Sequence, residues 1–127
     1  MPREIIHTEN APQAIGAYSQ AVRSGNTVYI SGQIPLDPKT QELLSGDFDA
    51  EVRQVFANLE AVAKAAGGSL SDAVKIGIYL TDMNDFAAVN AAMQAAIPEP
   101  FPARAAVGVA SLPKGARVEA DAILVLE

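Results

Sequence analysis

The sequence predicts an α+β domain, a mixed β-sheet with two helices packed on one face. Three features carry that reading. Two segments, 52–66 and 86–97, space their apolar residues at the three-four interval of a helical face. Six shorter segments read as strands between turns rich in Gly, Pro, Asn and Ser. Their order is three strands, a helix, a strand, a helix and two strands, which fits one sheet with both helices on the same side.

Glu4–His7 is read as a short edge strand. Gln20–Arg23 pairs with Thr27–Gln33 through a turn at Ser24-Gly25-Asn26. In the first helix Val52, Val55, Phe56, Leu59, Val62, Ala63 and Ala66 share a face. Asp47 or Asp49 is placed to cap its start, and Gly67-Gly68 ends it. Val74, Ile76, Ile78 and Leu80 then alternate with Lys75, Gly77 and Tyr79 along a strand. The second helix carries Phe86, Val89, Met93 and Ile97 on one face, with Asp82 or Asn84 as cap and Pro98 as stop. Ala105–Ala110 and Ala116–Leu126 flank Pro113-Lys114-Gly115 and are read as strands paired through that loop. Ile123 to Leu126 are consecutive apolar residues, and 105–110 shows the same two-sided pattern, so both faces of these strands call for burial. Two helices cover only one face of a sheet. The other face is expected to meet another copy of the chain.

The 127 residues are expected to form one domain, 1–127, large enough to bury about two thirds of its unfolded surface. Half of the residues are apolar, which excludes disorder. A net charge of −6 argues against a nucleic-acid partner. The sequence holds no cysteine, which removes disulfides, thiolate metal sites and a cysteine nucleophile, and which fits a reducing, cytoplasmic compartment. No apolar run approaches the ~20 residues that cross a bilayer, so no membrane partner is expected. Met1-Pro2-Arg3-Glu4 is not followed by a signal-type apolar stretch.

His7 is the only histidine, so histidine-based triads and zinc sites would all rest on one residue near a sheet edge; it is read as a surface or structural side chain. No phosphate-cradling glycine motif is present. Arg104 opens a strand that otherwise reads as buried. A guanidinium there needs an anion. Two partners stay open: an internal carboxylate, Glu119 or Asp121, or the carboxylate of a small ligand, which the planar fork fits in bidentate fashion. Glu119 and Asp121 share a strand face with Ile123 and Val125. A carboxyl group against an apolar layer has a raised pKa and can trade protons, whereas one at an exposed strand end does not. Asn90 falls on the apolar face of the second helix, either tolerated at its edge or aimed at a site. In Ser31-Gly32-Gln33-Ile34-Pro35, Gly32 lets backbone N–H groups approach a ligand, and Ser31 can donate a hydrogen bond. Tyr18, after Gly16, is read as a core residue with a polar tip.

The segments Ala14-Ile15-Gly16-Ala17-Tyr18-Ser19-Gln20, Ser31-Gly32-Gln33-Ile34-Pro35, Asn84-Asp85-Phe86, Phe101-Pro102-Ala103-Arg104 and Val118-Glu119 stand in the order and spacing of the RidA (YjgF/YER057c/UK114) family, which the chain resembles over essentially its whole length. The resemblance implies a chorismate-mutase-like fold, a homotrimer and sites in clefts between subunits. It also implies an enzyme, a 2-iminobutanoate/2-iminopropanoate deaminase of the Arg-containing type. Such enzymes hydrolyse reactive enamine and imine products of pyridoxal-phosphate enzymes to 2-keto acids and ammonia, without metal or cofactor. Carried over by position, Arg104 binds the substrate carboxylate with help from the Gly32 backbone N–H. Tyr18, Ser31, Asn90 and Glu119 line the pocket, the Ala106 N–H faces the imine, and Glu119 organises the attacking water. Glu119, Arg104 and Tyr18 are the residues assigned to catalysis. Two other classes remain as alternatives: a non-catalytic binder of 2-keto acids, and an RNA-cleaving translation inhibitor. Many members carry Cys where this chain has Ala106, and Pro where it has Ala17. The stretch Ile97-Pro98-Glu99-Pro100 is shorter than usual.

Overall fold

Eight principal elements follow one another in the computed structural model, which describes residues 2–127. They are β1 (Glu4–Ile6), β2 (Ala21–Ser24), β3 (Thr27–Gln33), α1 (Phe48–Ala65), β4 (Ala73–Leu80), α2 (Phe86–Ala96), β5 (Ala103–Gly108) and β6 (Val118–Val125). The six strands make a single sheet in the order β1-β2-β3-β6-β4-β5. Only β4 and β5 run parallel.

That order corrects one expectation. The strands on either side of Pro113-Lys114-Gly115 do not pair with each other. β5 is joined to β4 through α2, and such a crossover suits a parallel neighbour. β6 then enters between β3 and β4 and hydrogen-bonds to both. As the outer strand beyond β4, β5 is exposed along most of its length in the single chain, although its sequence reads as buried.

α1 starts at Asp47, whose side chain accepts from the N–H groups of Asp49 and Ala50. It ends in a Schellman arrangement. Gly68 N–H donates to Ala63 and Gly67 N–H to Lys64, with Gly67 at φ +96°. The start of α2 differs from the expected cap. Asp82 caps the 3-10 turn Met83–Asp85 that leads into the helix, and α2 itself has no side-chain cap.

Alternation along β6 divides the molecule. Val118, Ala120, Ala122 and Leu124 are buried toward the helices. They join Val28, Ile30, Ile76, Ile78 and Leu80 against Val55, Leu59 and Val62 of α1. Burying one such leucine contributes about 1.5–3 kcal/mol. Glu119, Asp121, Ile123 and Val125 project from the other face, where Tyr29, Val107 and Val125 are exposed.

One ion pair ties the helix layer to the entry of β6. Glu51, in the first turn of α1, is 2 % exposed and accepts from the Arg117 guanidinium. Arg117 also lies over the Phe48 ring, 5.0 Å from its centroid. Arg117→Ala leaves a buried carboxylate without a partner. It is expected to lower unfolding stability by about 2–3 kcal/mol in denaturant titration, less than for a fully enclosed pair because Arg117 is half-exposed.

Candidate functional site

Arg104 is anchored without being neutralised. Its Nη1 donates to Asn90 Oδ1 at 2.8 Å and lies 3.7 Å from Met93 Sδ, and its guanidinium sits 4.9 Å from the centre of the Phe86 ring. All three partners belong to α2. Phe86, Asn90 and Met93 are spaced four and three residues apart, so they present one stripe to the guanidinium. Arg104 makes no ion pair among the described residues, where Arg117–Glu51 is the only salt bridge. The internal-carboxylate reading is thereby excluded. Asn90 resolves the same way, its amide aimed at Arg104. A cleft of about 270 Å³ opens beside them, walled by Phe101, Pro102 and Gln94. The rest of the planar fork keeps its N–H donors for an anion.

Glu119 lies in a separate cleft of about 330 Å³ with Tyr18, Gly32, Ile15, Ile34 and Lys114. Gly32 is necessary there for a steric reason. A Cβ at that position would collide with the Glu119 carboxylate. Glu119 is half-buried. Burial above all, and the neighbouring Asp121 charge after it, push its pKa up from the ordinary 4.5.

The walls of this cleft are set by buried amides. Gln20 accepts from the Thr8 N–H at 2.7 Å and donates to the carbonyls of Thr8 and Pro12 at 2.9 and 2.7 Å, which fixes the loop carrying Tyr18. Asn58 on α1 donates to the carbonyls of Ile34 and Leu36, which fixes the segment after Gly32. Tyr18 is 54 % exposed, so it is a cleft residue and not core. Its hydroxyl accepts from the Ile15 N–H at 3.3 Å, which leaves its own proton free. Ser31 is a donor, as expected, but to the protein itself and not into the cleft. Its hydroxyl donates to the Ser19 carbonyl at 2.6 Å and braces the Tyr18 loop.

The sequence-predicted residues therefore fall into two groups. Arg104 stands in register with Ile76 and Ala106 with Ile78, on the helix-bearing face of the edge strand. Glu119 stands in register with Tyr79, on the opposite face and two strands inward. One chain does not bring Arg104 and Glu119 together. Phe86 and Met93 were missed as site residues because aromatic and Met residues at helical spacing read as core, and Phe101 entered only as part of the Phe101-Pro102-Ala103-Arg104 motif. Lys114 was missed because it falls in a loop. A larger hollow of about 600 Å³ lies between α1 and α2, but it is lined mainly by alanines and shares no residue with either cleft.

Residues 8–126 match the family model described as Endoribonuclease L-PSP. The 2-iminobutanoate/2-iminopropanoate deaminase of Dermatophagoides farinae is 51% identical over 126 residues, which cover 99% of this chain and 98% of that protein. The crystal structure of RidA from the Antarctic bacterium Psychrobacter sp. PAMC 21119 superposes with a TM-score of 0.94 at 54% identity, covering 97% of this chain and 99% of the other. The structure of E. coli TdcF with bound serine superposes with a TM-score of 0.91 at 39% identity, covering 98% of this chain and 99% of that one.

The raised Glu119 value has a thermodynamic consequence. The folded chain holds this proton more tightly than the unfolded chain, so stability relative to Glu119→Gln is greatest at low pH. It should fall as pH rises above about 4.5 and level off once folded Glu119 is ionised. Denaturant unfolding of both proteins across that range, at one protein concentration, measures the difference.

Proposed function

The chain belongs to the RidA family, whose family model is described as Endoribonuclease L-PSP, and on that premise we propose that it hydrolyses 2-imino and enamine acids such as 2-iminobutanoate and 2-iminopropanoate to 2-keto acids and ammonia. The observation that carries the reading is Arg104. It is held by Asn90 and Phe86, has no acidic partner among the described residues, and opens on a cleft of small-metabolite size. A 2-imino acid offers a carboxylate for that fork and a C=N bond a short distance away.

Hydrolysis asks little of the protein beyond placement and proton transfer. Protonated Glu119 gives its proton to the imine nitrogen. Its carboxylate then takes a proton from the water that adds to C2, and passes it to the amino group of the carbinolamine. Ammonia leaves as the C2 hydroxyl becomes the keto group and returns its proton to Glu119. One carboxyl group with elevated proton affinity serves each step in turn, a contribution of roughly 10²–10⁴-fold. Tyr18, with its hydroxyl proton free, is a further donor at this cleft. Gly32 and Ala106 offer backbone N–H groups to the substrate. The scheme calls for no metal or organic cofactor.

Arg104 and Glu119 are on opposite faces of one chain, so in this reading they meet across the interfaces of a homotrimer. The exposed Tyr29, Val107 and Val125 supply apolar surface for that assembly. A cytoplasmic location is part of the same reading and rests on the cysteine-free sequence.

A second reading, ligand binding without turnover, is favoured by the TdcF structure with bound serine. Ribonuclease activity has the family description behind it, and the net charge of −6 weighs against it.

Arg104→Ala is expected to lower imine hydrolysis by about 10²–10³-fold with the fold intact. The assay generates imine from an amino acid with a dehydratase or oxidase and follows its semicarbazide trapping. Near-native turnover in the variant removes Arg104 from the mechanism. A native chain that binds 2-oxobutanoate yet leaves imine lifetime unchanged is a binder. Mixing tests the shared site. Arg104→Ala and Glu119→Gln subunits, each strongly impaired alone, are unfolded and refolded together in equal amounts. Random assembly gives a complete site at about a quarter of interfaces, and so about a quarter of native activity. No recovery places both residues in one subunit's site.

A further inference from the structure

Two groups on the open sheet face take no part in the scheme above. Tyr79 on β4 stands opposite Glu119, and Gly77 stands opposite Asp121. Because Gly77 has no side chain, the Tyr79 ring leans diagonally across the strands, and its hydroxyl donates to Asp121 Oδ2 at 3.2 Å. A Cβ at Gly77 would stand 2.9 Å from the Tyr79 hydroxyl and collide with the Asp121 carboxylate. Asp121 is therefore seated on Gly77 much as Glu119 is seated on Gly32. The two carboxyl groups leave the same face of β6 two residues apart, roughly 7 Å along the strand.

We infer that Asp121, held in place by Tyr79, is a positioning residue that keeps a proton on Glu119. The inference rests on the reading of Glu119 as the proton-trading residue of a 2-imino acid hydrolase. The Tyr79 hydroxyl fixes the Asp121 carboxyl group on this face, and a negative charge there disfavours a second one on Glu119. Burial first, then the charge and hydrogen bond of Asp121, raise the phenol pKa of Tyr79, so it stays a donor. Other titratable groups also face Glu119. Tyr18, from the loop before β2, lines the same cleft. Lys114, from the turn before β6, is the positively charged side chain lining that cleft and makes no ion pair with Glu119 among the described residues. Tyr79 faces it from β4 and is neutral. Among these groups only Asp121 adds negative charge. The imine must be protonated before water adds, so a carboxyl group that enters the cycle already charged has no proton to give.

The test is the pH profile of kcat/KM for imine hydrolysis in the assembled protein. The limb that disappears in Glu119→Gln belongs to Glu119. That limb is expected to move to lower pH in the isosteric Asp121→Asn and to return toward its native position in Asp121→Glu. Tyr79→Phe should move it in the native background and have no further effect in the Asp121→Asn background. Sizing and thermal unfolding of each variant establish that the assembly is intact. A Glu119 limb that stays in place in Asp121→Asn, or a uniform loss at every pH, overturns the inference and leaves the role of Glu119 standing. A Tyr79→Phe effect that persists without Asp121 also overturns it. Should Glu119→Gln retain both limbs, the reading of Glu119 is wrong and the inference falls with it.

Discussion

The insertion of β6 between β3 and β4 is the constraint on which the rest of the molecule depends. This last strand hydrogen-bonds to both neighbours and joins the N-terminal β1-β2-β3 unit to the β4-α2-β5 unit. Its strict alternation sends Val118, Ala120, Ala122 and Leu124 into the core beneath α1, and Glu119 and Asp121 out of the opposite face. A shift of one residue in that register would bury two carboxylates in the core and expose its apolar set. The hydrophobic packing that fixes the sheet therefore also fixes the position of the acidic groups.

Both carboxylates use the same device. On each neighbouring strand a glycine stands where a side chain would otherwise lie: Gly32 for Glu119 and Gly77 for Asp121. Neither glycine is there for a left-handed turn, since neither has positive φ. Each supplies a missing Cβ, the close-approach use of glycine within a sheet. The carboxyl groups lie low on the strands, and for Glu119 this loss of water is the leading cause of its raised proton affinity.

Arg104 is treated in the opposite way. Its support comes from an amide, a thioether and an aromatic face, none of which carries charge. An amide acceptor orients the guanidinium at little cost to its affinity for an anion, whereas a carboxylate would compete with the ligand. The edge position of β5 leaves room for the cleft, because no strand lies beyond it. The anion-binding group and the proton-transfer group are thus split between the two faces of one sheet. That split makes contact between copies of the chain a chemical requirement of the proposed activity.

The sequence by itself determined the element types and their order, and it marked candidate residues in both groups. Helical spacing marked the faces of α1 and α2, alternation marked β4, and local motifs marked Arg104, Glu119, Gly32 and Tyr18. These properties are encoded over a few residues, and so they survive without knowledge of the fold. Only the tertiary structure decided that β6 pairs with β3 and β4 instead of β5, because strand pairing joins segments far apart in the chain. It likewise decided that Ser31 spends its proton on Ser19, that Tyr18 lies outside the core, and that Asp121 is held by Tyr79. Spacing along a chain cannot specify which distant partner a hydroxyl meets. That depends on register and on which side chains are absent opposite it, and both are properties of the assembled sheet.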